Sequence, residues 1–588
     1  MAARQRSIVR ITSNYVRLLT CFVMGLVLVR VLLQLGTDAF GLIVLLGAGT
    51  GLATALREIV RASLIPELGA AFHSGSDSRF RAAFQTAQVI CLVAALATFV
   101  GFGVLAWTIP RLQIPATLQS AAGFFLWSKA VQSFFTVALA PAFNLYVISE
   151  RMVAFNAWTV VERAGELLAA LSVVLLFPHA EAAQQVMAFG LYSSFFGSLS
   201  LLLPVAIMIA SDARLRTTTW LVTGQSLRTM LHSVGWNSVV VVAMNMYTRM
   251  DMFIMNYLFG LFGNLVFGVA VQLTFYVRQL TMGMVTGVDA VTARLAGNNP
   301  AAIRTLLHQS TRLQCLLVFP ATVALLVLTK PLLQLWVGPR LQSPGEQLPV
   351  IAVLVRILVI GTAARSISEG WMRILSGAGH VRTYAPAVLL GAVFNPAFAL
   401  LLVNWLPEDR RYAGPALAFT VLLLVVHLFW LPQIVARHFQ ISLRETVAPL
   451  LAPLLVTAVS SLCFLPLFIV GHVAMSSLLM LSGGYLSCCV VLSLIFVLDS
   501  RERSRLWNAM GGRHSTVEVS NPDKTELVAA DGVRLDTAHG RHAPAATAEQ
   551  SSRKAVVTVR GSRLAHLGHR DNPSEDNAHK GTTHAPKT

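Results

Sequence analysis

The chain reads as an all-α polytopic membrane protein of about fourteen transmembrane helices, arranged as two parallel-repeat six-helix lobes plus two extra C-terminal helices. Three observations predict this. First, 55% of its 588 residues are hydrophobic and only 12% are charged, with a mean hydropathy of +0.66. Many apolar runs reach the roughly 20 residues that a helix needs to cross a bilayer. Second, one sentence is written twice: Trp107-x-x-Pro110-Arg111-Leu112-Gln113-x-Pro115 returns as Trp336-x-x-Pro339-Arg340-Leu341-Gln342-x-Pro344, six of nine positions matching. Third, arginines gather at alternate breaks between the apolar runs, as a multipass topology requires.

Two further echoes set the repeat. Gly36-x-x-x-Phe40-Gly41 returns as Gly263-x-x-x-Phe267-Gly268, and Gln85-Thr86 with Cys91-Leu92-Val93 returns as Gln309-Ser310 with Cys315-Leu316-Leu317. All three pairs lie roughly 225 to 230 positions apart, so one unit is duplicated in tandem. In a membrane protein, duplicated halves of this kind are transporter architecture, with the substrate path between them.

The first lobe, 1–210, holds six spans near 16–35, 40–62, 87–109, 117–148, 152–177 and 184–209. The basic N-terminus resembles a signal-peptide n-region, but the run behind it has full span length and no small-x-small cleavage site, so it is a retained helix. The polar stretch 211–229 is a cytoplasmic inter-lobe linker. The second lobe, 230–438, holds spans near 234–259, 262–285, 313–328, 348–375, 384–403 and 416–434. An extra pair, 447–470 and 476–497 within 439–498, has no counterpart in the repeat. From 499 to 588 the composition turns to Arg, His, Ser, Thr and Ala, which cannot bury enough surface to fold alone and predicts a disordered basic cytoplasmic tail.

Arginines 4, 6, 10, 79, 81, 151, 214, 216, 228, 294, 304, 382, 437 and 444 fall on one side, and mainly Arg111, Lys330, Arg340, Arg410 and Arg411 on the other. Retention of basic loops in the cytoplasm places both termini there. Six spans per lobe return the chain to its starting side, so the lobes run parallel about an axis along the membrane normal. The formal charge of +18 is thereby a topology signal, and no nucleic-acid partner follows from it. Arg501, Arg503 and Arg505 with Trp507 read either as a headgroup contact or as an ordinary stop. The six cysteines sit in apolar runs with neither disulfide-framework placement nor zinc spacing, and no metal or cofactor is expected.

A charge at mid-helix costs roughly 2.5 to 3.5 kcal/mol on insertion scales, so the charges within spans are expected to face a cavity or each other. In the tenth span, Arg365, Glu369 and Arg373 follow i, i+4, i+8 on one face, with Arg356 further out. Arg57 and Arg61 in the second span are either cavity groups or snorkel into headgroups. Arg249 and Asp251 in the seventh span and Arg278 in the eighth lie deeper and are read as cavity-facing. Glu162, Arg163 and Glu166 in the fifth span form a candidate self-neutralising cluster, and Lys129 is a further cavity cation. Arginine offers a permanently charged planar fork suited to phosphate and pyrophosphate, so these residues are candidate binders of an anionic headgroup. Asp251, Glu369, Glu162 and Glu166 are coupling acids, for H+ or Na+, or counterions that orient arginine. Pro141, Pro204, Pro320, Pro386 and Pro396 are expected hinges, and Gly47-x-x-x-Gly51 and Gly283-x-x-x-Gly287 allow close helix contact. Gly47-Ala48-Gly49-Thr50-Gly51 is not a dinucleotide fingerprint, because Leu52 takes the third glycine position.

Over about residues 8–498 the chain resembles the multidrug/oligosaccharidyl-lipid/polysaccharide exporter superfamily, and most its polysaccharide-flippase branch. The resemblance rests on Ser13-Asn14-Tyr15, on the hairpin Val29-Arg30 through Leu35-Gly36-Thr37-Asp38-Ala39-Phe40-Gly41-Leu42, on Thr292-Ala293-Arg294-Leu295-Ala296-Gly297, and on Leu335-Trp336-Val337-Gly338. It implies two six-helix lobes in a V with a cationic lumen. It further implies turnover of a polyprenyl-pyrophosphate-linked oligosaccharide across a bacterial inner membrane, beside polysaccharide assembly proteins. The extra pair resembles the added helices that form a groove for the polyprenyl tail in lipid II flippases.

Three other functions fit parts of the sequence. A small-molecule antiporter of the multidrug-extrusion kind needs only twelve spans and a few membrane acids, but the excess arginine disfavours a cationic substrate. A membrane glycosyltransferase needs an extracytoplasmic loop and carboxylates for metal or base chemistry. Here the loops are short and Asp-x-Asp, His-Glu-x-x-His and P-loop motifs are absent, so no catalytic residue is assigned. A transport-inactive scaffold would use the tail for docking.

Overall fold

Gly36 (φ 101°) and Gly260 (φ 60°) turn the chain between consecutive spans, and each sits where one copy of the repeat reverses direction. Glycine adopts that backbone region without strain, so the span can end and the next begin within a residue or two. The computed structural model describes residues 2–500 and 502–504, apart from 217–218, 286, 296–299 and 471–474. Among the described residues every regular element is a helix, and all of them belong to one compact unit. The predicted disorder after residue 504, with Arg505 and Trp507, lies outside the described residues, as does Arg501.

Among the described residues, eleven helices are long and apolar enough to cross a membrane, or twelve when the bent pair Ala116–Ala138 and Ala140–Ile148 counts as one span. That pair turns by 45°, and Pro141 explains it, because its nitrogen has no hydrogen to donate to the preceding turn. The eleven include the long helix Gly224–Val285, which Gly260 divides into the seventh and eighth spans. Met152–Leu176 has span length but carries Glu162, Arg163 and Glu166, which keep it out of an apolarity count. With these adjustments the chain has the spans expected of it.

The boundaries differ from expectation where sequence polarity misleads. The helix that carries the seventh span begins at Gly224, inside the stretch expected as linker, while its membrane-spanning part begins at Gly235, close to the expected start. The ninth span, Pro300–Trp336, extends well beyond 313–328 on both sides, since Arg304, His308 and Arg312 occupy helical turns outside the apolar centre. Arg312 is buried and binds Glu502 at 2.6 Å and Asp499 at 3.3 Å, which tethers the residues just after the fourteenth span beneath the ninth. This bond to Arg312 holds the Asp499 carboxyl below its usual range. The extra pair, Leu443–Leu467 and Ser476–Val497, docks on the ninth span. Phe464, Tyr485 and Cys489 pack on Val323 and Val327, and the Tyr485 hydroxyl donates to the Pro320 carbonyl at 3.0 Å.

Small residues set the helix contacts, as expected where lipid removes the usual hydrophobic drive between helices. Within the first six spans, Gly190 lies on Phe125 and Gly165 on Phe196. Within the second six, Gly361 lies on Thr420 and Gly391 on Tyr247. Between the halves, the repeated hairpins cross each other: Gly41 lies on the backbone carbonyl of Leu261, and Gly268 lies on Val44. The last residue of each Gly-x-x-x-Phe-Gly copy is therefore the one that touches the opposite copy, while Phe40 and Phe267 are buried beside them.

Replacement of Gly41 by leucine should lower the melting temperature of the purified protein by several degrees, because the obstacle is backbone and cannot swing aside. Gly69→Ala, where a Cβ meets nothing within 4 Å, should leave it unchanged. Differential scanning fluorimetry in detergent compares the two.

Candidate functional site

Five elements converge on Glu369. The helical stripe of the tenth span, Pro344–Gly377, brings Arg365, Glu369 and Arg373 onto one face. From the eighth span, Arg278 places Nη2 at 3.6 Å from Glu369 Oε2, and Arg373 reaches the other carboxylate oxygen at 3.5 Å. Arg373 also pairs with Asp289 at 3.7 Å, from the short helix Val288–Leu295. Arg365 is buried beside Arg278, in the field of Glu369 and of Tyr247 from the seventh span. The twelfth span adds His427, fully buried in a π-helical stretch, Leu424–Trp430, whose Nδ1 lies 2.5 Å from the Ser368 hydroxyl. A π-turn shifts the register of a helix and often re-aims a functional side chain.

Three guanidinium groups thus share two carboxylates. Among the described residues, the Nε atoms of Arg278, Arg365 and Arg373 are buried without hydrogen-bond partners, as is His427 Nε2. A buried polar atom left unpaired costs on the order of 1 to 3 kcal/mol. The arrangement therefore has both charge and donors to offer an anion. It occupies the half of the tenth span that ends on the arginine-rich side.

The other candidates lie elsewhere. Arg356 is exposed and donates to the Leu326 carbonyl at 3.3 Å, apart from the Glu369 cluster. Its nine-residue offset from Arg365, at about 100° per residue, puts it half a turn away. Arg249 inserts between the second and seventh spans, with its guanidinium against Gly51 and Nη1 donating to the Gly47 carbonyl at 3.3 Å. Asp251 does not share that position: it is fully buried and accepts from Asn395 Nδ2 at 2.7 Å, and its Oδ2 has no partner among the described residues. Arg57 binds Glu162 at 3.0 Å and stacks 4.8 Å above Phe143, an arrangement that directs it toward protein rather than headgroups. The expected cluster on the fifth span is correspondingly opened: Arg163 binds Glu166 on its own helix, while Glu162 turns to the second span. Lys129 is buried against Gln132, 2.8 Å away. The side chain of Arg61 lies outside the described residues.

Sequence reasoning missed His427, Asp289 and Asn395. His427 carried a signal, as the one ionisable residue in the twelfth apolar run. Asp289 and Asn395 carried none that separates them from loop and capping residues.

Residues 238–401, from the seventh span to the eleventh, match the MatE family model. No curated protein sequence matches the chain. Solved structures do resemble it. The lipid II flippase MurJ in an inward closed conformation aligns with a TM-score of 0.60 at 10% identity, covering 83% of this chain and 98% of that one. The chain has the fold of the multidrug/oligosaccharidyl-lipid/polysaccharide exporter superfamily. An inward-facing multidrug resistance MATE family transporter aligns with a TM-score of 0.58 at 12% identity, over 72% of this chain and 96% of that one. A mutant of the Vibrio cholerae MATE transporter VcmN aligns with a TM-score of 0.52 at 13% identity, over 74% and 97%. Within this exporter fold the MatE match contains Arg249, Asp251, Arg278, Arg365, Glu369, Arg373 and Asn395, whereas His427 lies beyond it.

Glu369→Gln should destabilise the folded protein by about 3 kcal/mol, because it strands Arg278 and leaves Arg373 only Asp289. Adding Arg278→Gln should recover part of the loss. A double-mutant cycle by thermal unfolding measures the coupling, and additive single effects would show that the pair does not act as a unit.

Proposed function

We propose that this multipass membrane protein is a transporter that moves a polyprenyl-pyrophosphate-linked oligosaccharide across a bacterial inner membrane for surface polysaccharide assembly, by alternating access between two six-helix lobes. The observation that carries this reading is the convergence of Arg278, Arg365 and Arg373 on Glu369, with unpaired guanidinium nitrogens in the membrane. A pyrophosphate supplies the missing negative charge and several acceptor oxygens in one compact group, and arginine forks match its geometry better than a lysine would. Glu369 keeps the arginines oriented, and its partial neutralisation leaves a site that holds an anion without binding it irreversibly.

The orientation supports the same reading. With both termini cytoplasmic, the cluster lies toward the face on which lipid-linked precursors are assembled. In this reading Arg57, Glu162, Arg163 and Lys129 of the first half line the opposite wall, and the extra helix pair accommodates the lipid tail. Asp251, buried against Asn395 with one unpaired oxygen, is the candidate for proton or cation coupling. No catalytic role is assigned to any residue.

A second reading, export of a small anionic solute, is favoured by one observation: the MatE match spans the segment that holds both the arginine cluster and Asp251. Reconstitution separates the two. Proteoliposomes should translocate a fluorescent polyprenyl-pyrophosphoryl oligosaccharide, and Arg278→Gln with Arg365→Gln and Arg373→Gln should reduce the rate at least tenfold in folded protein. An unchanged rate refutes the proposed site. Transport of small organic anions without lipid turnover supports the second reading.

A further inference from the structure

The most repeated words in the chain play no part in the arginine cluster. They lie at the opposite ends of the spans, on the arginine-poor side, where the third and ninth spans finish. There each copy of the Trp-x-x-Pro-Arg-Leu-Gln-x-Pro sentence reaches into the other half of the molecule. Gln113, from the first copy, donates through Nε2 to the Tyr257 carbonyl at 2.8 Å. Its backbone N–H donates to Asn256 Oδ1 at 3.0 Å. Asn256 is itself fully buried and donates to Asn264, 3.0 Å away, which donates to the Met252 carbonyl at 2.7 Å. Gln342, from the second copy, accepts through Oε1 from the Thr37 hydroxyl at 2.5 Å.

The two contacts obey the internal symmetry. Gly260 and Gly36 are the positive-φ turns of the two copies of the hairpin, and a Cβ on Gly260 would meet Gln113 Oε1 at 3.6 Å, while one on Gly36 would meet Gln342 Nε2 at 3.5 Å. Each glutamine therefore sits on the turn of the opposite copy. The second copy adds the Trp336 indole, which donates to the Leu26 carbonyl of the first span at 2.9 Å. Its counterpart Trp107 is largely exposed, with Arg111 stacked 4.5 Å above it.

We propose that Gln113 and Gln342 are a two-part clasp that holds the arginine-poor face closed, and that this face opens only when both glutamines leave the opposite hairpin. The halves of the clasp differ in strength. The side-chain bonds of Gln113 and Gln342 are both exposed, and the first copy adds the backbone bond from Gln113 to the buried asparagine pair. Opening thus begins at Thr37 and ends at Asn256. The use of this motion for lipid turnover rests on the proposed function, but the clasp itself does not.

The test reads opening without any substrate. Leu261, buried against Gly41 at the crossing directly beneath the clasp, is replaced by cysteine in the full chain in nanodiscs, and alkylation by a charged maleimide is followed by mass spectrometry of the labelled peptide. When opening is fast and rare, the labelling rate is proportional to the open fraction. Loss of one net hydrogen bond changes such a ratio by about fivefold, so Gln342→Ala and Gln113→Ala should each accelerate labelling by about that factor. Together they should accelerate it roughly twenty-five-fold. Thr37→Val, on the exposed side, should match Gln342→Ala and serves if the double variant does not fold. Unchanged labelling in folded Gln342→Ala and Thr37→Val proteins overturns the clasp, whatever the transport assay gives. Faster labelling in a protein that turns over no lipid-linked sugar overturns the proposed function and leaves the clasp standing.

Discussion

The crossing of the second and eighth spans is the contact on which the rest of the molecule depends. Inside a bilayer, apolar side chains are as well solvated by lipid as by each other, so helices associate where backbones come close enough for dispersion contacts. Gly41 against the Leu261 carbonyl, and Gly268 against Val44, provide that approach twice, once for each copy of the repeat. The spacing they impose brings the hairpin turns within reach of Gln113 and Gln342. It also brings the seventh span alongside the second, where Arg249 fills the seam at Gly51 and Gly47. A bulkier residue at either glycine would move all of these together.

Charge is the second constraint. With each intramembrane arginine costing several kcal/mol unless compensated, the chain has to distribute partners among its helices. Most partners come from a different helix: Glu162 for Arg57, Glu369 for Arg278, Asp289 for Arg373. These cross-links tie the spans into specific neighbours where apolar packing alone would be permissive. Compensation is incomplete around Arg365 and the guanidinium Nε atoms, as the proposed anion site requires. The Asn256–Asn264 pair, by contrast, is closed on itself and on Gln113, while the tenth-span stripe is left with unpaired atoms.

Several site residues are legible in the sequence because helical geometry fixes them. Arg365, Glu369 and Arg373 share a face at four-residue spacing wherever the helix lies, and their mutual proximity follows. Arg356 falls outside the stripe by the same arithmetic, since nine residues is half a turn out of phase. The partner of Glu162 is not legible, because i,i+3 and i,i+4 neighbours are visible in sequence and a partner 105 positions away is not. His427 is easily overlooked because a lone histidine in an apolar run has no periodic companion. It acquires meaning only when the π-turn aims it at Ser368.

Local hydropathy, periodicity and repetition are enough to establish the helical class, the duplication, the approximate spans and the sidedness of the arginines, because each is a property of neighbouring residues or of a pattern along the chain. Pro141 and Gly36 also announce their bends, since backbone chemistry is local. Folding alone settles which helices cross, that the second copy's turn is made at Gly260, and that the twice-written motif joins each half to the other. Pairing between helices depends on distances that no period along a single helix encodes.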